Sequence, residues 1–217
     1  EKQQMYHLAV IALPEYSTEN EVRTFIDINS KQRKMDNNLI LHLKASFPWD
    51  KGSKEFYERI AVTVSEELNK TFFKNRIYFG TANESRDGKI HLLTLVSALI
   101  SSRQIKDSVE ESITNIKNIL KSVTSHMPQE IKSSGFFGSN TGIRVLFRLV
   151  RIYFQEYKKK NVSITSDEFI QDISRIIEEH KDIRNETYYG GGGAVIASSK
   201  IIQELKNTYS HKYNKLK

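Results

Sequence analysis

The chain contains no cysteine, which excludes a disulfide framework and a thiolate zinc site. It also lacks any uninterrupted apolar run of the roughly 18 to 20 residues that a membrane helix needs. The nearest run, Leu92 to Ile100, is interrupted by Thr94 and Ser97. No signal-peptide pattern opens the sequence. These absences point to a reducing cytoplasm and away from a membrane. Catalytic signatures are missing too. The six histidines, His7, His42, His91, His126, His180 and His211, form no H-E-x-x-H or similar ligand pair. There is no G-x-S-x-G nucleophile elbow. Glu178, Glu179, His180 and Asp182 gather acids around a histidine, but at a helix end such a cluster is ordinarily solvated charge. No catalytic residue, metal ligand or cofactor is therefore assigned.

What is present describes a folded, basic protein. With 217 residues, 38% hydrophobic content, ten tyrosines and eleven phenylalanines, the chain can bury a sizeable core as one large domain or two small ones. The net charge of +7 and pI near 9.4 suit an anionic partner, of which nucleic acid is the commonest for a basic cytoplasmic protein.

Local patterns sketch the elements. Tyr6 to Leu13 is a short apolar run closed by Pro14, suited to a strand near a sheet edge. Thr18 with Glu21 makes a capping box for a helix reaching Asn29. Asp36 or Asn37 caps the next helix, with Leu39, Ile40 and Leu43 facing inward. A further helix over 54–69 places Phe56, Ile60, Val64 and Leu68 on one face. Arg76 to Gly80 and Lys89 to Leu92 alternate as short strands around the polar loop Thr81 to Gly88. Beyond residue 93 the periodicity is helical: one helix starts at Asp107 or Ser108, another is boxed by Thr165 and Glu168, and the last begins at Ala194. The fold class is α+β, predominantly α. A small α/β region gives way to a helical region at a soft boundary between residues 88 and 105.

Three segments carry candidate binding groups. From Thr141 to Lys159 the sequence is apolar nearly all round, interrupted by arginines. At about 100° of rotation per residue, Arg144, Arg148, Arg151, Gln155 and Lys158 share one arc. Residues 139–160 hold six basic groups against one acid, Glu156. Guanidinium groups at one-turn spacing can follow a phosphate backbone with forked hydrogen bonds, whereas an ordinary solvated helix face would show the same pattern. Asn29, Lys31, Gln32, Arg33 and Lys34 form a polar, basic corner. Its amides and cations suit DNA, and they equally suit a helix C-terminus followed by a new cap. The run Gly190, Gly191, Gly192 and Gly193 opens the last helix. Consecutive backbone N–H groups there make a phosphate seat, although the Lys-Ser/Thr ending of a P-loop is missing and a hinge or close helix packing also explains the glycines. Ser139 to Gly142 reads first as the N-cap of the arginine helix and second as a phosphate seat.

The stretch Phe25-Ile26-Asp27-Ile28-Asn29-Ser30-Lys31-Gln32 resembles the F-I-D-I-N-x-x-Q element downstream of the Asp-Gly-Gln-His-Arg signature in DGQHR-domain proteins. These are bacterial relatives of the ParB nuclease-like fold and include the DndB-like proteins of DNA phosphorothioation systems. The Gly-rich turn Tyr188 to Ala194 resembles the family's turn into its last helix. The signature itself is absent. Asp87-Gly88-Lys89-Ile90-His91 lacks the Gln and the Arg and falls after the Asn29 element, not before it. The resemblance implies that this chain is the C-terminal part of a longer protein, with residues 1–92 completing a DGQHR/ParB-like α/β domain and 93–217 forming a helical domain. It further implies a cytoplasmic, DNA-associated protein of a bacterial DNA modification or phage-defence system, working with protein partners of a modification complex or as a homo-oligomer. Two alternatives stand beside it: part of a ParB-like nuclease or nucleotide hydrolase with its reactive residues upstream, and a helical module that docks an acidic protein.

Overall fold

The computed structural model describes residues 35–81, 84–132, 135–156, 165–180, 182–183 and 190–213, with positions 20, 21, 23, 24, 27 and 28. The chain divides into two compact units, Glu1–Met35 and Asp36–Lys217. In the first, positions 20, 21, 23, 24, 27 and 28 are helical, within the helix expected to run up to Asn29. The strand expected over Tyr6 to Leu13 lies outside the described residues.

The second unit is predominantly helical, with one small parallel sheet, so the α+β, mostly α class holds. Its first helix, α1 (Asn37–Lys44), starts where Asp36 accepts the Asn38 backbone N–H at 2.8 Å. The inward face differs from the one expected. Asn38 and Leu41 are buried, whereas Leu39, Ile40 and Leu43 are half-buried. The reason is a polar one: the Asn38 side-chain oxygen accepts the Leu93 N–H at 2.9 Å, supplying a cap for a later helix whose own N-cap residue, His91, makes no side-chain capping bond.

Ser53 caps α2 (Lys54–Thr71), and Phe56, Ile60, Val64 and Leu68 all face the core. Lys74 and Asn75, both at positive φ, turn the chain into β1 (Ile77–Tyr78). β2 (Ile90–His91) pairs with it in parallel, Ile77 opposite Ile90 and Tyr78 opposite His91. Both strands are shorter than the alternation suggests, because His91 leads directly into α3 (Leu92–Ser101). Ser108 caps α4 (Val109–His126).

A 3-10 turn at Phe136–Gly138 precedes α5 (Asn140–Glu156). Ser139 Oγ accepts the Gly142 N–H at 3.0 Å, which is an N-cap bond. Gly142 is required here, since a Cβ would lie 1.8 Å from the Phe136 carbonyl oxygen. The full capping box of Thr165 and Glu168 opens α6 (Ser166–Glu179). Then come α7 (Gly190–Thr208) and α8 (Ser210–Tyr213).

α5 runs through the core, with Ile143, Leu146, Phe147, Leu149 and Val150 buried, and packs against α3 and α7. Each such side chain contributes about 1.5–3 kcal/mol on leaving water, so this helix is held by packing rather than propensity. The same apolar core extends from Leu41 to Tyr213, on both sides of residue 92. At its far end, Tyr213 and Lys212 bond the buried Asp172 carboxylate at 2.7 and 2.9 Å, docking α8 on α6. Among the described residues no helix is long and apolar enough to cross a membrane.

Candidate functional site

The expected start of the last helix at Ala194 is corrected: α7 begins at Gly190, and the four glycines form its first turn. Glycine disfavours a helix interior by about 1 kcal/mol per residue. Burial of Ala194, Ala197, Ile201 and Leu205 overrides that preference and holds the whole segment helical. Neither strain nor crowding calls for glycine at two of these positions. A Cβ on Gly192 would meet nothing within 4 Å, and one on Gly191 would meet only Arg144 Nη1, at 3.5 Å.

That last distance joins two residues that the sequence keeps 47 positions apart. Arg144, Arg148 and Arg151, on one face of α5, line a cavity of about 280 Å³ together with Gly191, Ala194 and Val195 of α7. The third wall is α3, which supplies Ser97, Ala98 and Ser101. Arg144 Nη2 donates to Thr94 Oγ1 at 3.2 Å, which fixes the guanidinium beside the glycine turn. Among the described residues no acidic side chain lines the cavity. Among the described residues no carboxylate pairs with Arg144, Arg148 or Arg151.

The donors on this wall have the chemistry that suits an oxyanion. Three guanidinium groups give forked donors, Ser97 and Ser101 give hydroxyls, and the first turn of α7 brings the positive end of a helix dipole. The arrangement has an energetic cost. Like charges at i,i+4 and i,i+3 disfavour the helix by a few tenths of a kcal/mol per pair, and no acid among the described residues pairs with them.

Arg151 also lines a second cavity, of about 410 Å³, where α5 meets the end of α3 and the start of α4. Gln155, expected on the arginine arc, lies there, with Arg103 and Lys106 adding cations. Arg103 has φ 62°, a left-handed conformation that favours glycine.

The corner Asn29, Lys31, Gln32, Arg33 and Lys34 lies outside the described residues, as does Lys158. Asn140 is committed to the fold: its side chain accepts the His91 N–H at 2.8 Å and donates to the Lys89 carbonyl at 3.0 Å. Ser139 to Gly142 therefore serves as a cap and a strand clasp. His126 meets Asp167 at 3.2 Å and His180 meets Glu204 at 3.7 Å. Among the described residues no group of three His, Cys, Asp or Glu is placed to hold a metal ion. The hydroxyls of α3 were readable in principle, because Thr94, Ser97 and Ser101 recur at helical spacing on an otherwise apolar segment. Arg103 and Lys106 left no local signal.

No family model, curated protein or solved structure matches this chain.

Proposed function

We propose that this chain binds nucleic acid by its phosphate backbone, as a DNA-associated protein of the DGQHR or DndB-like kind, acting in bacterial DNA modification or defence. The observation that supports the reading is the convergence of Arg144, Arg148 and Arg151 with the glycine turn of α7 on one cavity that has no acidic side chain among the described residues. A phosphate diester is small, singly charged and rich in acceptors, so it satisfies guanidinium and N–H donors together. The family resemblance of residues 25–32 supplies the DNA context.

The direct experiment replaces Arg144, Arg148 and Arg151 by glutamine and measures binding of a labelled oligonucleotide by fluorescence anisotropy at low salt. Affinity should fall by at least about tenfold, since removal of three phosphate contacts forfeits their counterion release, while the circular dichroism spectrum stays unchanged. Binding at wild-type strength would defeat the reading.

A second reading, docking of an acidic protein segment, has one observation in its favour. Val195, on the cavity wall, and Leu93 are large apolar side chains that are 42% and 43% exposed. It requires that an acidic peptide displace the oligonucleotide and that Val195→Ser weaken the peptide alone.

A further inference from the structure

The second cavity differs from the first in chemistry. Besides Arg151, Arg103 and Lys106 it is lined by three carboxamides, Gln104, Asn115 and Gln155, by the ring of Phe154 and by the carboxylate of Glu111. Phosphate gains little from this set: Glu111 repels it, and carboxamides and an aromatic face add nothing that a guanidinium does not supply better. A nucleobase uses all of it. Carboxamides offer a donor and an acceptor to a base edge, a carboxylate accepts from an exocyclic amino group, and Phe154 or a flat guanidinium offers a stacking face.

Two of these side chains are held in place. Gln104 is 5% exposed, and its Nε2 donates to the Ser102 carbonyl at 3.3 Å. Phe154 stands edge-on to Tyr153 with ring centres 5.2 Å apart. Arg103 keeps its side chain at a backbone conformation that glycine would adopt without strain. The volume of about 410 Å³ falls in the range of about 300–1,000 Å³ usual for small-ligand sites.

Arg151 lines both cavities, so the two adjoin along α5. Resting on the phosphate-binding reading above, we propose that the second cavity receives a nucleobase whose phosphate sits among Arg144, Arg148 and Arg151, so that the ligand is a single-stranded or locally unpaired nucleic acid. Bases stacked inside an intact duplex cannot enter a recess between helices. Recognition of this type takes them unstacked, on aromatic and guanidinium faces.

The test titrates wild-type protein, the double variant Asn115→Ala/Gln155→Ala and the triple arginine variant against three labelled DNAs. These are a short single strand, an abasic strand of the same length and charge, and the matching duplex. Wild type should bind the native strand at least about fivefold more tightly than the abasic strand, as loss of one stacked and hydrogen-bonded base requires, and more tightly than the duplex. The double variant should bind native and abasic strands alike, with an unchanged salt dependence, because its phosphate contacts remain. Equal binding of native and abasic strands by wild type overturns the base site and leaves the phosphate site standing. So does a duplex preference, or a base preference that survives in the double variant. Binding to none of the three DNAs removes both readings.

Discussion

On the flank formed by α2, α4 and α6, cations meet carboxylates within the molecule. Lys117 reaches Glu67 at 2.7 Å, Lys51 reaches Asp107 at 3.1 Å and Lys212 reaches Asp172 at 2.9 Å. At the junction of α3, α5 and α7 the pattern reverses, for Arg144, Arg148 and Arg151 have no carboxylate partner among the described residues. Acids are not scarce, since the chain has 26, so their absence from this cavity is a matter of placement. Paired cations serve the fold. Those without a carboxylate, gathered in a recess, act against it by a repulsion that an anion would relieve.

The comparison breaks most visibly at Asp172. That carboxylate is 1% exposed and is bonded by Tyr213 and Lys212. Asp172→Ala should lower stability by about 2–4 kcal/mol, the range for leaving buried polar partners unmatched, read from the denaturant midpoint. Oligonucleotide affinity of the folded fraction should stay the same.

Acid offers the next contrast. Burial raises the Asp36 carboxyl, but bonds from the Asn38 amide and the Tyr78 hydroxyl, with Arg86 nearby, outweigh it and hold the group below its ordinary 3.8. Burial likewise raises Glu84, and the backbone N–H groups of Phe79 and Thr81 bring it below 4.5. Carboxyls depressed in the folded state contribute stability that is complete above 4.5 and is lost as pH falls below 3.8 through their folded values. Denaturant midpoints taken downward from about pH 6 should therefore drop in wild type and drop in parallel in the triple arginine variant. A divergence between the two would reveal an acid partnered to the arginine row.

A smaller effect of opposite sign is expected at the row itself. Replacing Arg144, Arg148 and Arg151 by glutamine should raise the melting temperature in dilute buffer, by the equivalent of about 0.5–1 kcal/mol of relieved repulsion. Added inorganic phosphate should stabilise wild type and leave the variant unmoved.

The smallest change is at Arg103. Glycine accepts the 62° φ without strain, so Arg103→Gly should gain about 0.5 kcal/mol in a denaturant melt while weakening oligonucleotide binding.

Much of the fold was legible because helix starts are local chemistry. Asp36, Ser53, Ser108 and Thr165 each bond a backbone N–H two or three residues ahead, and the apolar face of α2 repeats within one helix. The buried Asn38 was not legible, since its role is to cap α3 across 55 residues of chain. Nor was the helical state of Gly190 to Gly193, where local preference gives way to packing of Ala194 and Ala197. Arg144, Arg148 and Arg151 could be found as a row from spacing alone, and the glycines as a seat from composition alone. That the two face each other depends on how α5 and α7 pack, which no local pattern encodes.

The most direct test of the central claim, that the arginine row waits for phosphate, is the salt dependence of oligonucleotide affinity in wild type and the triple variant. Each phosphate contact adds about 0.7–0.9 to the slope of log affinity against log salt. The wild-type line should therefore be steeper by about 2 to 3. Parallel lines for the two proteins would contradict the account.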